Sequence, residues 1–241
     1  MILSKRRKTL VVGGKGFIGS HLMSMIEADV IDLKDGNDVI DGISERYDVI
    51  VFLAVDMGRT AEAYYYNSML YDVLDDYMQE YPSTHVIYTS SAAVYPDELL
   101  VQTEKSLVAP VNLYGKAKLL GECYVQQYKR HTILRLANVY GDGGSGAYNL
   151  FVSGHKTIYG DGKDVRDYIP VDLVCRVIKY AISHPKLFQG ITNVSSGQGT
   201  TTNSLFAQFG HGRPKHIKAR RGDVHYSVLD NSKLNRILHL L

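Results

Sequence analysis

The chain has 241 residues, of which 45% are hydrophobic and 22% charged, with a net charge of +2. That is the balance of an ordinary soluble globular protein, and a charge so near neutrality gives no reason to expect nucleic-acid binding. The two cysteines, Cys123 and Cys175, have no Cys or His partner at metal spacing, so neither a disulfide framework nor a metal site is expected. The apolar runs are too short to cross a bilayer, and no signal-peptide core follows the basic run Lys5-Arg6-Arg7-Lys8. The expectation is a cytoplasmic protein without a membrane partner, its basic run a solvated tail or a contact for an anionic surface.

Taken in order, Leu10-Val11-Val12 reads as a buried parallel strand that ends in glycines. Helical spacing follows over residues 20–26, then a strand at 30–32, another at 49–54, a helix at 62–80, a strand at 85–90, a helix at 113–130 and a strand at 132–139. The glycine-rich stretch 141–146 reads as a flexible loop. A helix at 171–184 and a strand at 192–195 return to the sheet, and little periodicity is visible beyond residue 197. Alternating strands and helices predict an α/β fold, a doubly wound parallel sheet of Rossmann type with a small C-terminal substrate lobe. Residues 1–140 are assigned to a dinucleotide-binding domain to which 166–196 return, and 141–165 with 197–241 to the lobe.

The segment Gly13-Gly14-Lys15-Gly16-Phe17-Ile18-Gly19 places glycines at GxxGxxG spacing between a strand and a helix. The first permits a tight turn, the second lets a diphosphate approach the backbone, and the third lets the helix pack closely on the strand. The helix N-terminus favours the anion. Asp32 ends the next strand, about twenty residues after the first glycine, where a carboxylate accepts hydrogen bonds from the adenosine ribose. A carboxylate there repels a 2′-phosphate, so NAD is favoured over NADP, although Lys15 and Lys34 weaken that preference.

Tyr114 and Lys118 are four apart, on one face of a helix. A lysine ammonium beside the phenol would lower its pKa and suit it to exchange a proton with a sugar hydroxyl. Ser91 ends an apolar strand run at the end where ligands bind in open α/β sheets. By themselves, a tyrosine and lysine at this spacing also occur by chance on surface helices, and a strand-end serine also caps turns.

Together these residues resemble the extended short-chain dehydrogenase/reductases, in their NAD-dependent epimerase/dehydratase branch. GGKGFIGSHL (13–22), SSAAVYP (90–96), YGKAK (114–118), LRLANVYG (134–141), YGDGKDVRDYIPVDL (159–173) and RGDV (221–224) occur in the order of that family. The resemblance implies a catalytic set of Ser91, Tyr114 and Lys118. It implies that Gly13, Gly16, Phe17, Ile18, Gly19, Asp32, Ile40, Asp41, Leu53, Ala54, Asn67 and Ser90 contact the cofactor together with Tyr114 and Lys118, Asn67 beginning the helix after the third strand. Asn138, Asn149, Leu150, Arg166, Arg220 and Asp223 are implied to contact a nucleotide-sugar, with the two arginines on its diphosphate. A local ion-pair network is the alternative for Arg166, Asp167 and Asp172. The resemblance also implies a homodimer pairing the helices near 67–80 and 113–130, with Leu70, Val73, Leu74, Leu119 and Leu120 as apolar candidates that could instead pack on their own sheet.

The sequence departs from the pattern in places. The stretch between Tyr140 and Tyr159 and the C-terminal portion read as trimmed, Phe52 stands where a histidine is common, and Arg221 where a proline is common. Dehydratases of the branch carry acidic residues directly after the catalytic serine or threonine, and this chain has Ala92 and Ala93. The resemblance therefore implies an NAD-dependent nucleotide-sugar 4-epimerase acting through a transient 4-keto sugar. A keto-sugar reductase using NAD(P)H and a non-catalytic dinucleotide-binding sensor or scaffold are the alternatives.

Overall fold

The computed structural model describes residues 7–32, 42–220 and 222–240. The expected cofactor contacts Ile40 and Asp41, and Lys34 and Arg221, lie outside those residues. The elements are β1 (Thr9–Val12), α1 (Phe17–Met23), β2 (Asp29–Ile31), β3 (Val49–Phe52), α2 (Ala61–Glu80), β4 (His85–Ser91), β5 (Val101–Gln102), α3 (Leu113–Gln126), β6 (His131–Leu136), β7 (Asn138–Tyr140), α4 (Ala147–Val152), β8 (Thr157–Tyr159), β9 (Val165–Pro170), α5 (Val171–Ser183), β10 (Gly190–Val194), β11 (Gly199–Thr201), α6 (Thr202–Phe209), β12 (Lys215–Ile217), β13 (Tyr226–Leu229) and α7 (Ser232–Leu238).

The main sheet is parallel throughout, with strand order β10-β6-β4-β3-β1-β2. Its strands read as continuous apolar runs because both faces are covered, and alternate residues go to opposite layers. Val11, Val49 and Val51 pack with α1 and α5, whereas Leu10, Val12, Ile50 and Phe52 pack with α2 and α3. The helices match those faces. Thr60 caps α2 by accepting from the Ala63 N–H at 3.2 Å, and Leu70, Leu74 and Met78 then fall on the stripe that meets the sheet. Each such side chain stabilises by roughly 1.5–3 kcal/mol when fully buried. The order reverses between β1 and β3, and the crevice at their carboxyl ends is where an open α/β sheet binds ligands.

A second, smaller sheet has the order β11-β9-β13-β5, with β7 beside β9, and β8 pairs with β12 as a separate ribbon. Phe151, Ile158, Leu205 and Phe206 form its own small core. The strand expected over 132–139 is therefore two strands: β6 stays in the main sheet, and β7 crosses to pair with β9. The helix expected to run to Arg130 ends at Gln126, and Tyr128 beyond it donates to Asp75 on α2 at 2.5 Å. Residues 166–170, which the sequence assigns to the returning segment, lie in β9 of the second sheet, and α5 begins at Val171. The region after residue 197 holds β11, α6, β12, β13 and α7, elements too short to show periodicity in the sequence.

Candidate active site

The glycine loop is fixed by close backbone approaches. The Gly13 N–H donates to the Ile31 carbonyl at 2.8 Å, and Gly13 has φ +85, a conformation that favours glycine. A Cβ on Gly13 would lie 2.9 Å from the Ala54 nitrogen, and one on Gly19 would lie 2.2 Å from the Gly13 carbonyl oxygen. Leu53 and Ala54 thus wall the turn at the switch point, and the start of α1 sits hard against it. Asp32 is buried at the end of β2 and accepts from the Lys15 N–H at 2.7 Å, so this carboxylate also braces the loop. The Phe17 side chain turns away from the loop towards Gly141 and Gly144 and packs edge-on against His21.

Ser91 ends β4 and caps a short 3-10 turn at Ala92–Val94, accepting from the Ala93 N–H at 3.2 Å. Asn112 caps α3 in the same way, accepting from the Gly115 N–H at 2.9 Å. The two meet closely: a Cβ on Gly115 would stand 2.2 Å from the Ala93 carbonyl oxygen. This contact brings Tyr114 to Ser91. Burial pushes the Tyr114 phenol above its ordinary pKa, and a hydrogen bond with Ser91 pulls in the opposite direction. The lysine influence read from the spacing is not what sets the phenol here, because Lys118 faces β4. Its Nζ donates to the Thr89 carbonyl at 2.7 Å and lies 5.1 Å from the Tyr88 ring centre. Burial of Lys118 disfavours its charged form and lowers its pKa to about 7, against the opposing pull of the Glu122 carboxylate.

Two expected cofactor contacts have structural partners. Ser90 is buried, and its hydroxyl donates to Glu122 at 2.5 Å. Asn67 does not begin a helix but lies inside α2, where its side chain accepts from the Asp56 N–H and donates to the Asp56 carbonyl, both at 2.9 Å. It shapes the loop after β3.

The expected substrate residues divide. Arg220 and Asp223 are adjacent, with Nε 3.3 Å from the carboxylate, and Arg220 stacks 4.1 Å over the Tyr159 ring. Arg59, from the loop after β3, meets Asp223 at 2.9 Å. Burial works against the Asp223 carboxylate, but the Arg59 and Arg220 guanidiniums outweigh it and hold the pKa below the ordinary value. Arg166 donates to the carbonyls of Val165, at 3.0 Å, and Val224. The ion-pair alternative is not formed as a unit. Asp164 is the carboxylate near Arg166, at 3.9 Å, whereas Asp167 accepts from Ser196 and Gly197, and Asp172 lies 3.6 Å from His21. Asn138 donates to the Asp167 carbonyl at 3.1 Å, Asn149 is hydrogen-bonded to Gly141, and Leu150 is exposed. The glycine stretch after Tyr140 is thus a docked loop, held between Asn149 and Phe17.

Residues 25–195 match the model of the NAD dependent epimerase/dehydratase family, a span that includes Ser91, Tyr114 and Lys118. The chain belongs to that family. A protein of Methanocaldococcus jannaschii, provisionally named a UDP-glucose 4-epimerase, is 28% identical, covering 93% of this chain and 90% of its own. An ADP-L-glycero-D-manno-heptose-6-epimerase of Pseudomonas aeruginosa strain PAO1 is 27% identical over 81% of this chain and 75% of its own. The crystal structure of a UDP-glucose 4-epimerase from Thermotoga maritima with UDP-glucose superposes with TM-score 0.78 at 26% identity, covering 95% of this chain and 91% of that one. The alignment with the Methanocaldococcus protein runs over 278 positions, more than this chain has residues, so this family member carries deletions relative to it.

NAD is the cofactor of the family, and the glycine cradle fits it: side chains at Gly13 and Gly19 would collide with backbone, so the tight turn into α1 requires glycine there, and a carboxylate stands at the end of β2. Among the described residues no helix is long and apolar enough to cross a membrane, and no cluster of His, Cys, Asp or Glu could hold a metal. Sequence reasoning missed Arg59, Glu122, Arg135 and Asn193. A signal for Glu122 was present, since it falls four residues after Lys118 on the same helix face, and Arg135 is a lone charge within an apolar strand run. Arg59 and Asn193 carry no local signal.

Proposed function

We propose that this protein is an NAD-dependent 4-epimerase of nucleotide-activated sugars. The carrying observation is that the close approach of Gly115 to the Ala93 carbonyl brings Tyr114, in the first turn of α3, to Ser91 at the carboxyl end of β4, with Ala92 and Ala93 rather than acids following Ser91. Bound NAD supplies a reversible hydride acceptor. Tyr114 takes the proton of the sugar C4 hydroxyl, Ser91 hydrogen-bonds the same oxygen, and the buried Lys118 holds positive charge next to the site in its protonated form. The resulting 4-keto sugar turns over in the cleft, and Tyr114 returns the proton to the opposite epimer. With no acid after Ser91 to expel water, the sugar keeps its hydroxyls. Arg166 and Arg220 are proposed to hold the diphosphate and Asp223 to stand near the ribose. Asp32 favours NAD over NADP.

The helices α2 and α3 are proposed to pair with those of a second copy. Leu70 and Leu74 are buried against their own sheet, so the pairing surface is the outer face that carries Tyr65 and Cys123. Light scattering at micromolar concentration tests this, and a monomer would refute it. The activity is tested by an NMR time course with catalytic NAD and a panel of UDP-, dTDP-, GDP- and ADP-activated sugars. Appearance of a C4 epimer without net cofactor reduction is expected. Conversion that consumes NADH, or no conversion across the panel, would overturn the reading.

A further inference from the structure

A chain of buried polar side chains runs beneath the site. Ser90 donates to Glu122, and Glu122 holds Arg135 in a two-pronged pair, with Nε–Oε1 at 2.9 Å and Nη2–Oε2 at 2.6 Å. Arg135 donates on to the Tyr95 hydroxyl at 2.9 Å and lies 4.8 Å from that ring centre. The Tyr95 hydroxyl donates to Asn193 Oδ1 at 2.7 Å. The Asn193 amide donates in turn to the Gln102 carbonyl at 3.0 Å and the Asp230 carbonyl at 3.4 Å. Glu122, Arg135, Tyr95 and Asn193 are all buried.

Two points on this chain of side chains matter differently: Tyr95 within it and the carbonyls at its far end. Tyr95 closes the short turn that Ser91 opens, its N–H donating to the Ala92 carbonyl at 3.1 Å, and the Ala93 carbonyl in that turn is the one against Gly115. Any shift of Tyr95 therefore moves both Ser91 and the start of α3. At the far end, Gln102 lies on β5 of the second sheet, and Asp230 directly follows β13. Buried polar groups that satisfy one another fix a single arrangement, because a displaced member leaves its partner unpaired.

We propose that Tyr95 is a positioning residue that transmits the seating of the second sheet to the Ser91 hydroxyl. This inference rests on the proposed 4-epimerase reading only for its kinetic test. When β5 and β13 are seated, Asn193 holds the Tyr95 hydroxyl, and Ser91 is fixed in the turn by the Ala93 N–H, with the Ala93 carbonyl against the start of the helix that carries Tyr114. When they are not, the turn loses its anchor and Ser91 is no longer held beside Tyr114.

The test is Tyr95→Phe in the full chain with NAD bound, which keeps the ring and removes the hydroxyl. The expected result is a fall in kcat of about tenfold, with KM for the sugar and the Kd for NAD within twofold of wild type. A second readout needs no turnover. The Tyr114 phenol, followed by NMR with ring-labelled tyrosine, should titrate at higher pH in the variant, because the Ser91 hydrogen bond that lowers it is weakened. A packing role alone would lower Tm and leave both kcat and the titration unchanged, and that outcome overturns the proposal. If wild type shows no epimerase activity but the titration still moves, the functional reading fails and the positioning role stands. Should Tyr95→Phe not fold, Asn193→Ala cuts only the outer end and is expected to move the same titration, while an unmoved titration refutes the role.

Discussion

On the dinucleotide side of the cleft, the contacts that shape the site are made by backbone: Gly13 against Ala54, Gly19 against Gly13, Gly115 against Ala93. On the lobe side they are made by long side chains, with Arg59 and Arg220 gathered on Asp223 and only partly shielded from solvent. Backbone contacts hold their geometry without ligand and tolerate no added atom. Exposed ion pairs are worth little, about 0–1 kcal/mol each, and rearrange readily. The first region is preformed for one cofactor, whereas the second can be retuned by single substitutions.

The sharpest way to break this contrast is Tyr114→Phe. Epimerisation should fall on the order of a thousandfold, the scale of a positioned acid–base group, while the Kd for NAD by calorimetry stays unchanged. Retained turnover would remove Tyr114 from the chemistry. Next in size, Asp32→Ala should weaken NAD by roughly 10–100-fold, as expected for lost charge-assisted hydrogen bonds, and relax discrimination against NADP. Equal affinities for both cofactors before and after the change would refute the assignment. On the lobe side, Arg59→Ala should raise KM for the sugar by less than about fivefold and leave kcat and NAD binding alone. A large kcat effect would mean that the lobe is as preorganised as the cradle.

The smallest effect concerns stability. His85, at the opposite end of β4 from Ser91, has its pKa lowered to about 4 by burial and by the nearby His131, Arg7 and Arg130. Between pH 6.5 and 4 the unfolded chain takes up a proton that the folded one resists, so stability falls as pH drops through that window. His85→Gln should flatten this limb in urea titrations at pH 6.5, 5.5 and 4.5 and change little at pH 7. An unchanged slope would mean that unfolding of the main sheet does not govern the transition.

The main sheet was legible in the sequence because its signals are local. An apolar run ending in glycines gives β1 and the cradle, and spacing of four gives Tyr114 and Lys118 on one turn of α3. The direction of Lys118 was not legible, since it depends on how closely β4 approaches, and the residue faces the Thr89 carbonyl rather than the phenol. The glycines after Tyr140 read as a flexible loop, yet Phe17 and Asn149, far apart in the chain, dock it. In the lobe, strands of two to four residues, β9 apart, carry no period, and Arg59 finds Asp223 only through the fold, 164 positions away.

The hydrogen bond between Tyr95 and Asn193 joins residues 98 positions apart. At a synthesis rate of 5–20 residues per second, roughly 5–20 s pass between the two leaving the ribosome's catalytic centre. Through that interval the serine turn and the start of α3 can already be made, but the anchor that aims them is not. Under the proposed positioning role, a nascent chain can thus carry Ser91 and Tyr95 while still lacking Asn193, so the Ser91 hydroxyl is not anchored until that residue has emerged and paired.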